Sequence, residues 1–579
     1  AEGKSVKKFK EIVDDNKKVL ALETALTGKL LLTTPELNKG SAFTHEERVR
    51  LNLVGKLPAH VETLDEQAQR YYEQYKLLPT NLSKNKYLNS LRQHNNVAFF
   101  KLVTQHLDEM LPIVYTPTIG DAVKNYSYQF DSPRGLHFSY EEADNVEMMM
   151  SSISYPDVEL VIISDGEGVL GIGDWGAGGV DICVGKAMVY TLCGGVNPRH
   201  ILPIQVDVGT NNKTLLNDPM YLGWRHPRIE GKEYDAFIDL VFKAIVKKFP
   251  KVFIHCEDFG ISNARKILSH YQDELCLFND DIQGTGATAL ACVLSGLKVT
   301  GSQLADQRFV IFGAGTAGVG IADQLVNALI SSGLSKEEAY RRFWLIDKPG
   351  LLLDSMSDLH DFQLPYAQPS GEWSTYDGSS IRLQDVIEVI KPTVLIGSSA
   401  VAGAFNQAVV ESMSAATPRP MIFPLSNPNS RVEATPQDIY QWSNGKAIVA
   451  TGSPFDDVVF NEKRIRISQC NNAFIFPGLG LGILASGASR VTAHMISQAA
   501  LALADCSPLI HDPDGSLLPS FDRAHSVSKD VALAVAQAAA EDGVARITPD
   551  VDYQARIAAI YWEPEYLPYH LNPELMHDD

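Results

Sequence analysis

The sequence predicts an α/β protein of several units: a helical amino-terminal region, then two successive units in which strands alternate with helices. Three observations predict it. Residues up to about 130 carry apolar positions at helical spacing, clearest over Leu64 to Leu77 and Tyr87 to Met110. From Val158 the texture changes to short apolar runs that end on polar or glycine residues. A second stretch of the same texture opens near Gly301 and runs to about Cys470. Alternating strands and helices imply parallel sheets covered on both faces.

Taken in order, Leu111 to Pro117 breaks the helical pattern, its two prolines bracketing a short extended segment. Leu160 to Ser164 reads as a buried strand ending at Asp165-Gly166, followed by a glycine-rich stretch to Gly185 and a helix over Lys186 to Leu192. Ile201 to Val208 is the next strand, and Phe237 to Phe249 an amphipathic helix. Gly478 to Asp505 returns to long helical periodicity, and the residues beyond Asp542 read as a polar extension. The expected partition is a helical domain over 1–133, an α/β domain over 134–280 completed by 470–541, a second α/β domain over 281–469 and an extension over 542–579.

Composition excludes several function classes. The formal net charge of −20 argues against a nucleic-acid partner and requires local positive features wherever an anion binds. Seven scattered cysteines without paired spacing read as reduced thiols of a cytosolic protein. The amino end (Lys4, Lys7, Lys8, Lys10, Glu11, Asp14, Asp15) is charged and lacks the apolar core of a signal peptide. No segment approaches the roughly 20 apolar residues that span a membrane. The expectation is a soluble, cytoplasmic protein with no membrane partner.

The stretch from Lys251 to Gly286 carries the first chemical signal. A short apolar run, Val252-Phe253-Ile254, ends on Glu257 and Asp258; a helix follows over Asn263 to Tyr271, and then Phe278-Asn279-Asp280-Asp281-Ile282-Gln283-Gly284-Thr285. Two acidic pairs thus flank one helix beside apolar residues. Burying like charges together is costly unless a cation neutralises them. Carboxylate oxygens suit a hard divalent ion, Mg²⁺ or Mn²⁺. The competing reading is an acidic surface turn or a pair of helix caps. His255 and Cys256 offer further ligand atoms, although a cysteine in this setting packs as a small apolar residue.

The second signal is a glycine fingerprint in its required context. The strand Arg308 to Phe312 runs into Gly313-Ala314-Gly315-Thr316-Ala317-Gly318, and Val319 to Ile330 follows as a helix. The first glycine permits the tight turn, the second lets backbone approach a pyrophosphate, and the third lets the helix pack on the strand. The phosphates then rest on a helix N-terminus, at Thr316 and Ala317, which an acidic chain needs. The next strand, Phe343 to Ile346, ends at Asp347, placed to accept from ribose hydroxyls. The expected fold is therefore a Rossmann-type unit. Lys348 is the one cation that follows the acid closely, so NAD is expected over NADP.

With these pieces in order the chain resembles the malic enzyme family over nearly its whole length. The matching segments are Asn38 to Thr44, Ile113 to Thr118, Asp207 to Asn212, Glu257-Asp258-Phe259, Phe278 to Thr285, Leu425 to Pro428 and Asn471 to Gly478. The resemblance implies a divalent metal held by Glu257, Asp258 and Asp281, a general base at Lys186, a general acid at Tyr115, and substrate contacts from Asn427 and Asn472. It implies malate as substrate and a homodimer or homotetramer. One position departs from the pattern. Malic enzymes usually carry an arginine after Asp-Gly-Glu, where this chain has Gly168. Asp165 to Gly176, Val180-Asp181-Ile182 and Glu257 to Gly260 look instead like malolactic enzymes, which release lactate with the same metal and NAD. Arg70 fits one position of the fumarate-binding pair found in some members, but His94 occupies the other, so fumarate activation is not expected. Oxidative decarboxylation to pyruvate is the expected reaction, with the malolactic reaction as alternative. A dinucleotide-binding regulator without catalysis would leave the clustered carboxylates, Lys186 and Tyr115 without a reason.

Overall fold

In a computed structural model that describes residues 8–153, 157–169, 171–376, 380–548 and 550–576, the amino-terminal region is largely helical from Gly28 but opens with strands. Lys10–Val13 and Val19–Thr24 pair antiparallel, and Tyr569–Leu571 joins Val19–Thr24 in parallel. The tail expected as a polar extension thus closes a three-stranded sheet, with Leu22 and Tyr569 buried beside Leu31 and Phe43. Lys4 and Lys7 of the charged amino end, and Leu170 of the glycine-rich stretch, lie outside the described residues.

The single helix expected over Tyr87 to Met110 is three: Asn81–His94, Asn96–Gln105 and Leu107–Val114. Asn95 is extended (φ −146°, ψ 96°), and its side chain accepts from Ala98 N at 3.0 Å, so it caps the next helix instead of continuing the last. His106 breaks the second junction at φ −130°, its ring stacked on Tyr72 with centroids 3.8 Å apart. The extended segment expected from Leu111 begins only at Tyr115, because the last helix carries Pro112 within it and stops two residues later.

The first compact unit comprises 1–278, 480–491 and 539–579. Its five-stranded sheet has the order Leu136–Ser139, Ile201–Asp207, Leu160–Ser164, Phe253–Cys256, Leu277–Asn279. The first four strands pair in parallel. Leu160–Ser164 is buried at every residue, as a run without alternation demands. The helix expected over Lys186 to Leu192 extends from Val180 to Gly194 and is buried at every position but Ala187.

The second unit comprises 279–479 and 492–538. Its seven-stranded sheet has the order Gly350–Leu351, Phe343–Asp347, Phe309–Phe312, Val394–Gly397, Met421–Pro424, Ile448–Thr451, Ser468–Gln469. All pairs are parallel except the edge strand Gly350–Leu351. Strand order reverses beside Phe309–Phe312, the switch point at which such sheets bind ligands. The long helix expected over Gly478 to Asp505 is two, Phe476–Ser486 and Ala493–Asp505, separated at Gly487 with φ +61°. Among the described residues no helix is long and apolar enough to cross a membrane, and none of the seven cysteines forms a disulfide.

Candidate active site

In the first unit the expected base and acid are neighbours. Helix Val180–Gly194 packs on helix Thr118–Lys124 at Gly185, where an added Cβ would lie 2.2 Å from Ile119 Cδ1. That close approach sets the next residue, Lys186, against the end of helix Leu107–Val114. Its Nζ lies 5.0 Å from the centroid of the Tyr115 ring and 3.3 Å from Glu257 Oε1. Lys186 is 1% exposed, and Glu257 and Asp258 are fully buried.

Glu257 leaves the sheet at the end of strand Phe253–Cys256, its N–H still donating to Ile163 O at 2.9 Å. Its Oε2 lies 2.6 Å from His255 Nε2, and His255 Nδ1 lies 2.6 Å from the Tyr190 hydroxyl. A carboxylate can only accept, so Nε2 carries the proton that His255 donates to Glu257. His255, a candidate ligand in the sequence, hydrogen-bonds Glu257 here; Cys256 is buried. Asp258 adopts φ +53°, uncommon outside glycine and costly unless its surroundings impose it.

Gly168 sits against this turn. Its N–H donates to Asp258 O at 3.0 Å, and an added Cβ would lie 2.8 Å from Phe259 O. Any side chain here therefore pushes on the backbone that carries Asp258. The neighbouring loop is fastened by Arg228, whose partners lie 54 and 63 residues away and which no local pattern marks. Its Nε and Nη2 donate to Asp174 at 2.7 and 2.9 Å, and Nη2 also to Asp165 O at 2.9 Å. Asp174 accepts further from Thr210 Oγ1 and Asn211 N, at 2.8 Å each. Burial raises the Asp174 pKa, and the Arg228 contacts outweigh it and hold the carboxyl below its usual range.

In the second unit Asp281 is half-buried in the turn Asp280–Gly284. Asn279 and Gln283 clasp this turn: Asn279 Oδ1 accepts from Ile282 N at 3.0 Å, and Asn279 N donates to Gln283 Oε1 at 2.9 Å. Asn472 holds the same segment, donating to Asp280 O and Thr285 Oγ1 at 3.2 Å each. Asn427 follows strand Met421–Pro424, and its Oδ1 accepts from Ser453 Oγ.

The glycine fingerprint joins strand Phe309–Phe312 to helix Thr316–Ser331, which begins at Thr316 and Ala317. Gly313 has φ +105°, and its Cα faces Ser398 O, 2.3 Å from where a Cβ would stand. A Cβ on Gly318 would lie 1.9 Å from Gly313 O, so helix and strand meet there without a side chain between them. A Cβ on Gly315 would meet nothing within 4 Å, so the backbone here stands open at the start of the helix. Asp347 ends strand Phe343–Asp347. Gln363, which the sequence reading does not single out, donates to Ala314 O at 2.7 Å and to Asp347 Oδ2 at 3.2 Å, tying the fingerprint to the acid.

The chain matches the family model described as "Malic enzyme, N-terminal domain" over residues 92–272 and that described as "Malic enzyme, NAD binding domain" over 282–540. It is 47% identical over 544 residues to the NAD-dependent malic enzyme of Sodalis glossinidius, covering 94% of this chain and 96% of that one. It is 46% identical over 545 residues to the NAD-dependent malic enzyme of Pseudomonas aeruginosa, covering 94% and 97%. The crystal structure of Entamoeba histolytica malic enzyme superposes with a TM-score of 0.53 at 21% identity over 88% of this chain and 90% of that one, a likeness of fold alone. That of malic enzyme from Pyrococcus horikoshii gives 0.53 at 25% identity over 78% and 88%. With both family models matched along most of its length and near-full-length relatives at this identity, the chain belongs to the malic enzyme family.

Proposed function

We propose that this chain catalyses the oxidative decarboxylation of (S)-malate to pyruvate and CO₂ with reduction of NAD, and that the reaction depends on a divalent metal. The observation that carries the reading is Lys186, buried between Glu257 Oε1 at 3.3 Å and the Tyr115 ring at 5.0 Å. Glu257, Asp258 and Asp281 would hold Mg²⁺ or Mn²⁺; an all-oxygen set with two fully buried carboxylates suits a hard cation. When bound, the cation supplies a Lewis acid and NAD the hydride acceptor.

Lys186 takes the proton of the C2 hydroxyl as hydride leaves C2. Loss of CO₂ from the keto acid leaves an enolate whose C3 must gain a proton, and Tyr115 gives it. One proton leaves malate oxygen and one enters carbon, so the pair consumes none overall. Asn427 and Asn472 contact the substrate, Asn472 while also holding the Asp281 turn. Gly313, Gly315, Thr316, Ala317 and Gly318 receive the pyrophosphate. Asp347 takes the ribose, which selects NAD, since a carboxylate repels a 2′-phosphate. We assign the enzyme to the cytoplasm as a homodimer or homotetramer. The lactate-forming alternative is not favoured, because the near-full-length relatives carry the name NAD-dependent malic enzyme.

The test supplies malate, NAD and Mn²⁺, follows NADH absorbance, and determines pyruvate and lactate separately. Equal amounts of NADH and pyruvate are expected. Lactate without accumulating NADH would overturn the reading.

A further inference from the structure

Glu433 is fully buried in the second unit. Its Oε2 accepts from Ser399 N at 3.0 Å, Ser399 Oγ at 2.7 Å and Ser426 Oγ at 2.6 Å, and its Oε1 from Ser426 N at 3.3 Å. The two hydroxyls are committed as donors to it. Ser399 Oγ accepts from Val401 N at 3.1 Å and Ser426 Oγ from Ala400 N at 2.9 Å, so each proton is left to point at the carboxylate. Four neutral donors converging on one carboxylate solvate its ionised form.

Those donors sit on two loops. Ser399 and Ala400 follow strand Val394–Gly397, and Ser426 with Asn427 follows strand Met421–Pro424. Both loops leave the carboxyl ends of strands beside the switch point, where open α/β sheets bind their ligands. The first also packs on the fingerprint, since Ser398 O faces Gly313. Gly397 leaves the room this requires: a Cβ there would stand 2.5 Å from the Glu433 Cδ.

We propose that Glu433 is a positioning residue of the nucleotide site: it locks the 398–400 loop to the Asn427 loop, and its buried charge favours the oxidised, cationic nicotinamide ring over the reduced, neutral one. The proposal rests on the reading of this unit as the NAD site. An anion held in low dielectric by neutral donors retains its attraction for a cation that arrives when the nucleotide binds. A group that only shaped the loops would act on both redox forms alike.

The test measures dissociation constants of NAD⁺ and NADH for wild type, Glu433→Gln and the double variant Ser399→Ala/Ser426→Ala by protein fluorescence without substrate, with a thermal melt of each. Glu433→Gln should weaken NAD⁺ roughly tenfold more than NADH, a difference of about 1.4 kcal/mol. The double variant keeps the charge but loosens the loops; it should weaken both forms together and raise the malate KM while leaving their ratio as in wild type. An unchanged ratio in Glu433→Gln would overturn the charge effect. If Glu433→Gln fails to fold, the double variant still decides the tie between the loops, and wild-type affinities and KM in it would overturn that tie. Wild-type protein that binds neither nucleotide would sink the NAD-site reading itself, a distinguishable outcome.

Discussion

Replacing Gly315 and Gly318 by alanine separates ligand geometry from fold geometry within one loop. At Gly318 the new methyl would start 1.9 Å from Gly313 O and 3.4 Å from Ile311 Cγ2. An ordinary carbon–oxygen contact is about 3.3 Å, so helix Thr316–Ser331 must move away from its strand by about 1.4 Å, or the loop must deform. Overpacking of this kind costs about 1–3 kcal/mol and sometimes more. At about 2–4 °C per kcal/mol for a unit of this size, the melt should fall by roughly 2–12 °C. At Gly315 the backbone has φ −78° and ψ −167°, which alanine adopts freely, and no atom lies within 4 Å of its Cβ. Gly315→Ala should therefore melt within about 0.5 kcal/mol of wild type. Its methyl fills the phosphate cradle instead, and NAD affinity should fall at least tenfold. Thermal melts without nucleotide and NADH fluorescence titrations read the two effects. A Gly315→Ala protein that melts early yet binds NAD normally, or a Gly318→Ala protein as stable as wild type, would refute this reasoning.

Lys186→Ala should lower kcat by roughly 10²–10⁴-fold while NAD affinity, titrated by fluorescence, stays within about twofold. Asp281→Asn should raise the metal concentration needed for half-activity, and chelation should remove malate binding as well as turnover, read by calorimetry with and without Mn²⁺. Gly168→Ala should lower kcat by about tenfold or more by pressing on the Asp258 turn, and Gly168→Arg should not restore a carboxylate clamp, read as an unimproved malate KM. The anchor of the amino-terminal strand should be pH-dependent. Burial lowers the His200 pKa, but hydrogen bonds to Glu11 and Glu159 outweigh it and push it up to about 10, while Glu11, raised by burial, is brought below its usual range by His200. The raised His200 stabilises fully below about pH 6.5 and loses its contribution as pH rises toward 10; the lowered Glu11 stabilises above about pH 4.5 and loses its contribution below that. Glu11→Gln should therefore cost about 1–3 kcal/mol in urea melts near pH 5.5 and clearly less at pH 10.5.

The parts of this molecule that are legible in its sequence are those encoded locally. The buried strand Leu160–Ser164 and the fingerprint between strand Phe309–Phe312 and helix Thr316–Ser331 depend on residues a few positions apart, and periodicity or glycine spacing finds them. The amino-terminal strands escape because their sheet is completed by Tyr569–Leu571 from the far end of the chain. The helix breaks at Asn95 and His106 escape for a similar reason: Asn95 bonds Tyr566 and His106 stacks on Tyr72, and neither partner is adjacent in sequence. Lys186 and Tyr115 enter by family resemblance alone, since a buried lysine near a helix start carries no local signature. Their adjacency follows from Gly185 packing on Ile119. Arg228, Gln363 and Glu433 have no signal short of the fold, because each acts by joining loops from different strands.

The cations of the first unit's site are already engaged by its own carboxylates. Lys186 faces Glu257, and Arg228 is shared between Asp174 and the Asp165 backbone. Gly168 adds no third cation, and its packing against Phe259 O leaves no room for a side chain to supply one. In a chain of net charge −20, a dianionic substrate then meets a site whose fixed charges are close to balanced or negative. Neutral donors offer about 0.5–1.5 kcal/mol each, against about 1.5–3 kcal/mol for a charged partner. Two or three such contacts sum to about 1–4.5 kcal/mol, which matches one lost arginine but leaves little against repulsion from Glu257 and Asp258. A divalent cation held among those carboxylates, as proposed above, would reverse the sign of the local field and supply the attraction that malate needs. Metal dependence in this chain should consequently fall on substrate affinity first and on the chemical step second, whereas an enzyme that retained the arginine would keep appreciable malate binding after chelation.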